Sequence, residues 1–227
     1  MFDRLEKLIG INNINLLHSK TVLVIGLGGV GGMAVETLIR NGIENIILVD
    51  NDKVDITNKN RQIIALDSTI DKLKVDAFEE RIKNINDRVK IVKINDFITK
   101  DNIDEIFKLK FDYLIDACDT ISTKILLIKK CLENNIKFIS SCGTGNKFDM
   151  TKLKVIDIKK TSYDPIAKVI RKKLKDDNIK GKVMVVSSDE MPIKTNSKAP
   201  FSYSVVPNTA GIMLADYIIK DIVEKNI

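Results

Sequence analysis

The chain is poor in the residues that carry redox, zinc and imidazole chemistry. It holds three cysteines, one histidine and four prolines in 227 residues. Three scattered cysteines cannot build a disulfide framework, and no CxxC pair exists to hold zinc. No apolar run approaches the roughly 20 residues that a membrane span needs. The opening carries Asp3, Arg4, Glu6 and Lys7, so it has no secretory apolar core. A cytoplasmic protein without a membrane partner is the expectation. Arginine is scarce as well, six against 31 lysines. Where arginine persists against that bias, a bidentate role is expected.

What is present is an alternating pattern. With 44% hydrophobic residues the chain can bury a core, which excludes general disorder. Residues 1–18 read as short amphipathic helices. Strands are expected at 21–25, 45–49, 89–94, 111–115 and 137–141. Helices are expected at 33–40, 70–85, 102–107 and 122–134. Strands alternating with helices at this spacing predict an α/β fold, a Rossmann-like doubly wound and mostly parallel sheet. After Gly145 the pattern changes. Short strands at 152–158, 182–186 and 201–205, a basic helix near 165–175 and an apolar helix at 209–223 are expected. The organisation predicted is one domain over 1–227. Residues 1–145 form its nucleotide-binding half, and 146–227 are an appended half on the same sheet. The stretch 187–199, with Pro192, is a candidate loop over the site.

The first strand runs into Gly26-x-Gly28-x-x-Gly31 and then a helix. Glycine lets the backbone turn sharply and approach phosphate. The helix N-terminus supplies free N–H groups and a positive dipole. Asp50, after the second strand, is placed to accept from ribose hydroxyls. The plainer alternative is a tight, ligand-free turn, but strand, helix and acidic residue together favour a nucleotide. Further on stand Asn58, Arg61, Gln62 and Lys74, with Asp116 and Asp119 after the fourth strand. A dinucleotide enzyme has no need of such a set. Nucleotidyl transfer needs cations for the departing pyrophosphate and a carboxylate for Mg²⁺. Taken singly, Lys74 could be a solvated helix residue and Asp119 a helix cap.

The pieces GLGGVG (26–31), LVDND (48–52), NKNRQ (58–62), Lys74 and DACD (116–119) resemble the adenylating fold of the ubiquitin-activating-enzyme-like superfamily. Within it the chain is most similar to the tRNA threonylcarbamoyladenosine dehydratases. That likeness lies in FDRLEKLIG (2–10), DIKKTSYDPIAKVIRKKLK (157–175) and SYSVVPNTAGIMLADYIIKDI (202–222). The resemblance implies ATP and Mg²⁺ as cofactors and an acyl-adenylate as intermediate. It implies that Gly26, Gly28, Gly29 and Gly31 cradle the phosphates, and that Asp50 holds the ribose with Asp52 nearby. Asn58, Arg61 and Lys74 would bind the triphosphate, and Asp119 would hold the metal. Arg4 would reach the site of the other subunit in a homodimer. His18, outside all these motifs, is read as structural.

The function expected is ATP-dependent cyclisation of the modified adenosine in tRNA. Its second step is intramolecular, so proximity supplies much of the rate and no protein nucleophile is demanded. The alternative is adenylation of the C-terminal glycine of a ubiquitin-like sulfur carrier. The missing CxxC pairs lower that reading. An NAD oxidoreductase and a non-catalytic adaptor complete the set. A cysteine desulfurase or other sulfur-relay partner stays open. Of the three cysteines, Cys142 is the candidate for reactivity; buried inert thiols are the commoner case.

The net charge is +6, from 37 basic and 31 acidic residues. Residues 159–182 hold nine basic and three acidic side chains, so the rest of the chain balances to zero. In this segment Ile166, Val169, Ile170 and Leu174 predict an apolar helix stripe. Lys168, Arg171, Lys172 and Lys175 fall on the other face. Such a row can follow a phosphate backbone, and tRNA contact is the expectation. An ordinary solvated helix face is the plainer alternative.

Overall fold

The computed structural model describes residues 1–196 and 201–223. Seven strands form one sheet: β1 (Thr21–Ile25), β2 (Asn45–Val49), β3 (Lys90–Ile94), β4 (Tyr113–Asp116), β5 (Lys137–Ser141), β6 (Leu153–Asp157) and β7 (Met184–Ser188). They lie in the order β3-β2-β1-β4-β5-β7-β6, and only the β6–β7 pair is antiparallel. Continuous apolar strands such as Thr21–Ile25 suit a parallel sheet covered on both faces. Successive side chains point to opposite faces. Val22 and Val24 therefore join one core, Leu23 and Ile25 the other.

Helices fill both layers. The first core takes Leu17 of α2 (Ile11–Ser19), Val35 and Leu38 of α3 (Gly29–Arg40), Phe78 and Ile82 of α4 (Lys74–Ile85), and Leu214 and Ile218 of α8 (Val205–Val223). The second takes Ile106 of α5 (Ile103–Phe107), Leu127 of α6 (Ile121–Glu133), and Ile170 and Leu174 of α7 (Pro165–Asp176). The remaining helix, α1 (Asp3–Ile9), buries no residue. Helices α3 and α8 cross closely because Gly211 lacks a side chain. A Cβ there would sit 2.2 Å from the Val30 carbonyl oxygen. Between α3 and α4, Glu36 is buried and accepts from Arg40 and, bidentately, from Arg81. Burial alone would raise the Glu36 pKa, but the two guanidiniums outweigh it and hold it below the usual carboxylate value. No helix among the described residues is long and apolar enough to cross a membrane.

Three local expectations change. Residues 201–205 do not form a strand: α8 begins at Val205, four residues before its predicted start. Pro207 sits in its first turn, where amides need no intrahelical acceptor. Helix α4 begins at Lys74 rather than 70, after a turn in which Asp71 has φ +67°. Of the loop expected at 187–199, Ser187 and Ser188 belong to β7, and 197–199 lie outside the described residues.

One buried ion pair ties three elements together below the carboxyl edge of the sheet. Lys124 of α6 donates to both oxygens of Asp116 at the end of β4, at 3.1 Å each. Ser140 of β5 donates to the same carboxylate at 2.6 Å. Both charged residues are 1% exposed. Lys124→Met keeps an unbranched chain one atom shorter and strands the carboxylate, which should cost about 3–5 kcal/mol in urea denaturation. A loss under about 1 kcal/mol would show that Ser140 and its neighbours satisfy Asp116 without the ammonium.

Candidate functional site

A cleft of about 730 Å³ opens at the carboxyl ends of the strands. Its floor includes Ile25, Val49, Ala117 and Ser141, the ends of β1, β2, β4 and β5. Between β1 and β4 the strand order reverses, the point where open α/β sheets bind ligands.

The glycines divide into two jobs. Gly26 has φ +86°, and a Cβ there would lie 2.7 Å from the Ala117 carbonyl oxygen. At Gly31 a Cβ would lie 1.8 Å from the carbonyl oxygen of Gly26. Gly31 is therefore a packing residue that lets α3 start against the β1 turn. Unlike Gly26, Gly28 and Gly29, it does not line the cleft. Gly28 caps α3 and has open space where its side chain would be, with only the Gln62 amide at 3.9 Å. Gly28 and Gly29 line the cleft, and the first amides of α3 lack intrahelical acceptors. Asn208 in the first turn of α8 braces this loop. With its amide nitrogen assigned toward the two carbonyls, it donates to Gly29 and Arg61 oxygens at 3.0 and 2.9 Å.

Asp50 locks the loop from the other side. Its carboxylate accepts from the Leu27 amide at 2.6 Å and the Asp52 amide at 2.8 Å. Lys74, at the start of α4, lies 3.7 Å from Asp50 and 2.7 Å from Asp52. Asp52 is open to solvent, whereas Asp50 and Lys74 are buried. A short turn at Ile56–Asn58 sets the next residues, with Asp55 and Asn58 bonding reciprocally as a capping box. Asn58 and Arg61 line the cleft. Arg61 also donates to the Thr57 carbonyl and the Asn60 side chain, at 2.8 and 3.0 Å. The buried Gln62 Oε1 has no partner among the described residues and belongs to a residue lining the same cleft.

Asp119 is exposed and lines the cleft three residues after Asp116. It does not cap α6; Thr120 occupies that position and makes no side-chain cap. Among the described residues its one side-chain hydrogen bond is accepted from Thr120, at 3.3 Å. No cluster of three potential metal ligands occurs among the described residues. That donor set fits Mg²⁺, which protein sites hold through one or two carboxylates while nucleotide phosphates supply further oxygens.

The cleft continues past the nucleotide loop into a second lobe, along Gly143–Lys147, Pro165, Ile166, Pro192 and Ser202. The long-range bonds of its framework are not legible in the sequence. Buried Asp164 caps α7 at Ala167 and accepts from the Gly143 amide and Ser187. Lys147 is buried and donates to the carbonyls of Ser188 and Glu190. Burial holds its pKa below the usual lysine value. Lys124 was also missed, hidden in an apolar run, and it too lines the cleft.

Other expected residues fall elsewhere. Arg4 is exposed on α1 and does not line the cleft of its own chain. Lys168, Lys172 and Lys175 are exposed on α7, but Val169 of the predicted apolar stripe is exposed as well. Arg171 is not on the outer face. Its guanidinium turns inward to the Ile158 and Thr161 carbonyls and the Thr161 hydroxyl. The three thiols are reduced and partly or fully buried. Burial, then the Asp164 carboxylate, push the Cys142 pKa well up, which leaves it a poor nucleophile. His18 packs against Phe2 and lies 3.8 Å from Glu44, away from the cleft.

With this geometry, the chain matches the ThiF family model over residues 2–226. The tRNA threonylcarbamoyladenosine dehydratase of Bacillus subtilis is 42% identical, over 98% of this chain and 94% of its own. The crystal structure of E. coli tRNA N6-threonylcarbamoyladenosine dehydratase in complex with ATP superposes with a TM-score of 0.93 at 34% identity, covering 99% of this chain and 94% of that one. The complex of the same enzyme with AMP gives a TM-score of 0.91 at 35% identity, covering 97% and 92%. The chain belongs to the ThiF family, in its tRNA threonylcarbamoyladenosine dehydratase branch.

Proposed function

We propose that this protein is an ATP-dependent tRNA threonylcarbamoyladenosine dehydratase. The observation that carries the reading is the continuous cleft. It joins a nucleotide-type glycine loop to a further stretch lined by Gly143–Lys147, Pro165 and Ile166, about 730 Å³ in all, at the switch point of the sheet. In this reading ATP lies with its phosphates over Gly28 and Gly29, where a missing side chain and free helix amides admit them. Asp50 and Asp52 form the acidic edge for ribose hydroxyls. Asn58, Arg61 and Lys74 face the triphosphate. An ammonium has three N–H groups; Asp52 accepts one at 2.7 Å, and Asp50 at 3.7 Å is beyond hydrogen-bond distance, which leaves Lys74 two for phosphate oxygens. Mg²⁺ held by Asp119 would neutralise charge on the phosphates.

The carboxylate of the threonylcarbamoyl group attacks the α-phosphorus and pyrophosphate leaves. Charge builds on the departing oxygens, where fixed cations stabilise it without reorganising. A neighbouring atom of the same modification then attacks the activated carbonyl and expels AMP, closing a ring with net loss of water. The second lobe holds the reacting groups together, so effective molarity does the work of a nucleophile. The high thiol pKa of Cys142 accords with a route that makes no thioester.

Incubation with ATP, Mg²⁺ and threonylcarbamoyl-modified tRNA should yield a nucleoside lighter by one water in mass spectrometry. No product at saturating ATP, or pyrophosphate exchange driven by a small carrier protein instead of tRNA, would overturn the proposal. Asp119→Ala should abolish adenylation with an unchanged melting curve. Arg4 sits outside its own cleft, which supports a role across a homodimer. Mixed Arg4→Ala and Asp119→Ala subunits should regain part of the lost activity once exchange is verified; no recovery counts against that role. Exposed Lys172 and Lys175 support tRNA contact by α7. Reversing both charges should raise KM for tRNA and reduce its salt dependence while ATP affinity stays unchanged. An unaltered KM for tRNA would make α7 an ordinary solvated helix.

A further inference from the structure

Aromatic side chains are 5% of this chain, yet several stand in water at the mouth of the second lobe. Phe148 is 66% exposed and Phe201 59%. Phe148 stacks one face on Tyr203, with ring centroids 4.7 Å apart and planes 16° from parallel. Its position is built. The Glu190 carboxylate accepts from the Phe148 amide at 3.0 Å and from the Asp149 amide at 3.0 Å. The Tyr203 hydroxyl donates to the Phe148 carbonyl. Asn146, with φ +57°, links the same loop to Phe201 and Ile193 through backbone and side-chain bonds. A loop braced at so many points loses little entropy when something stacks on it. Burying the exposed face of the ring would be favourable.

Resting on the functional reading above, we infer that the free face of Phe148 is a stacking platform for the unpaired nucleotide next to the modified adenosine. A base reaches an enclosed cleft only by leaving its stack, which deprives its neighbours of a partner. An aromatic face at the rim restores that contact, and single-stranded RNA is bound in this way elsewhere. Continuity supports this occupant. Asn146 and Lys147 precede Phe148 directly and line the cleft, as does Ser202 beside Tyr203. Charge supports it as well, since Lys152 and Lys194 are exposed on the two flanking segments. The platform reads no sequence, because every base has a π-face.

The test uses the full chain and threonylcarbamoyl-modified tRNA, intact or abasic at a nucleotide flanking the modification. Phe148→Ala should weaken tRNA binding about ten-fold, and Phe148→Trp should restore it. ATP affinity should stay the same in both variants. With one of the two abasic tRNAs, wild type and Phe148→Ala should bind alike. Equal affinity of both proteins for intact tRNA overturns the inference, as does a loss that persists with each abasic tRNA. A Phe148→Ala chain that changes oligomeric state, with tRNA affinity following it, assigns the platform to a contact between copies and also overturns it. Failure of the wild-type protein to dehydrate intact tRNA sinks the functional reading instead, so the two failures separate.

Discussion

The site depends on one close approach of backbone to backbone. The start of α3 rests on the turn after β1 so tightly that a single methyl at Gly31 would fall 1.8 Å from the Gly26 carbonyl oxygen. Any larger residue pushes the helix away from the strand. The free amides of its first turn then no longer face the space left open at Gly28. Gly26 faces the same constraint from β4, where the Ala117 carbonyl occupies the place of a side chain. The open, amide-lined start of α3 is thus a by-product of helix packing, and its position follows from the β1–β4 pairing beneath it.

Two strand ends repeat one arrangement of carboxylates. Asp50 after β2 and Asp116 at the end of β4 are both buried and both satisfied, the first by two amides and Lys74, the second by Lys124, Ser140 and Cys118. Two or three residues later stand Asp52 and Asp119, which face solvent at the rim of the cleft. The buried members fix their loops, and without such partners they would be expensive. Of the exposed members, Asp52 pairs with Lys74 at 2.7 Å. Asp119 has only the long contact to Thr120 among the described residues and is the least committed of the four.

Much of this was legible in the sequence, for physical reasons that differ by residue. The glycine turn, Asp50, Asn58, Arg61, Lys74 and Asp119 come together along one cleft; Asp50, Asn58 and Lys74 sit at element boundaries, where side-chain type follows from backbone geometry. Long-range partners were not legible. Arg171 falls on the polar face by helical spacing, but spacing cannot see the carbonyls of a neighbouring short turn. Lys124 lies in ISTKILLI, where an apolar context hides a lysine that pairs with Asp116 on another element. The start of α8 was misread because extended-looking residues precede Pro207, and a proline in a first turn breaks nothing. The bidentate arginine expected from codon bias exists, but as Arg81 on Glu36, joining two helices away from the nucleotide loop.

The basic segment changes meaning once its side chains are followed. Its only arginine turns inward to carbonyl oxygens, and Lys173 pairs with Asp177, which also holds Lys129 of α6. What faces outward is lysine: Lys168, Lys172 and Lys175. A lysine ammonium is a mobile point charge without the planar fork that fixes an arginine on one phosphate. A surface of this kind adds affinity along a nucleic acid while imposing no register. Any register must then come from the cleft, where hydrogen-bonded turns border the entrance. Spread-out charge and a single shaped cleft thus lie in different parts of the same molecule.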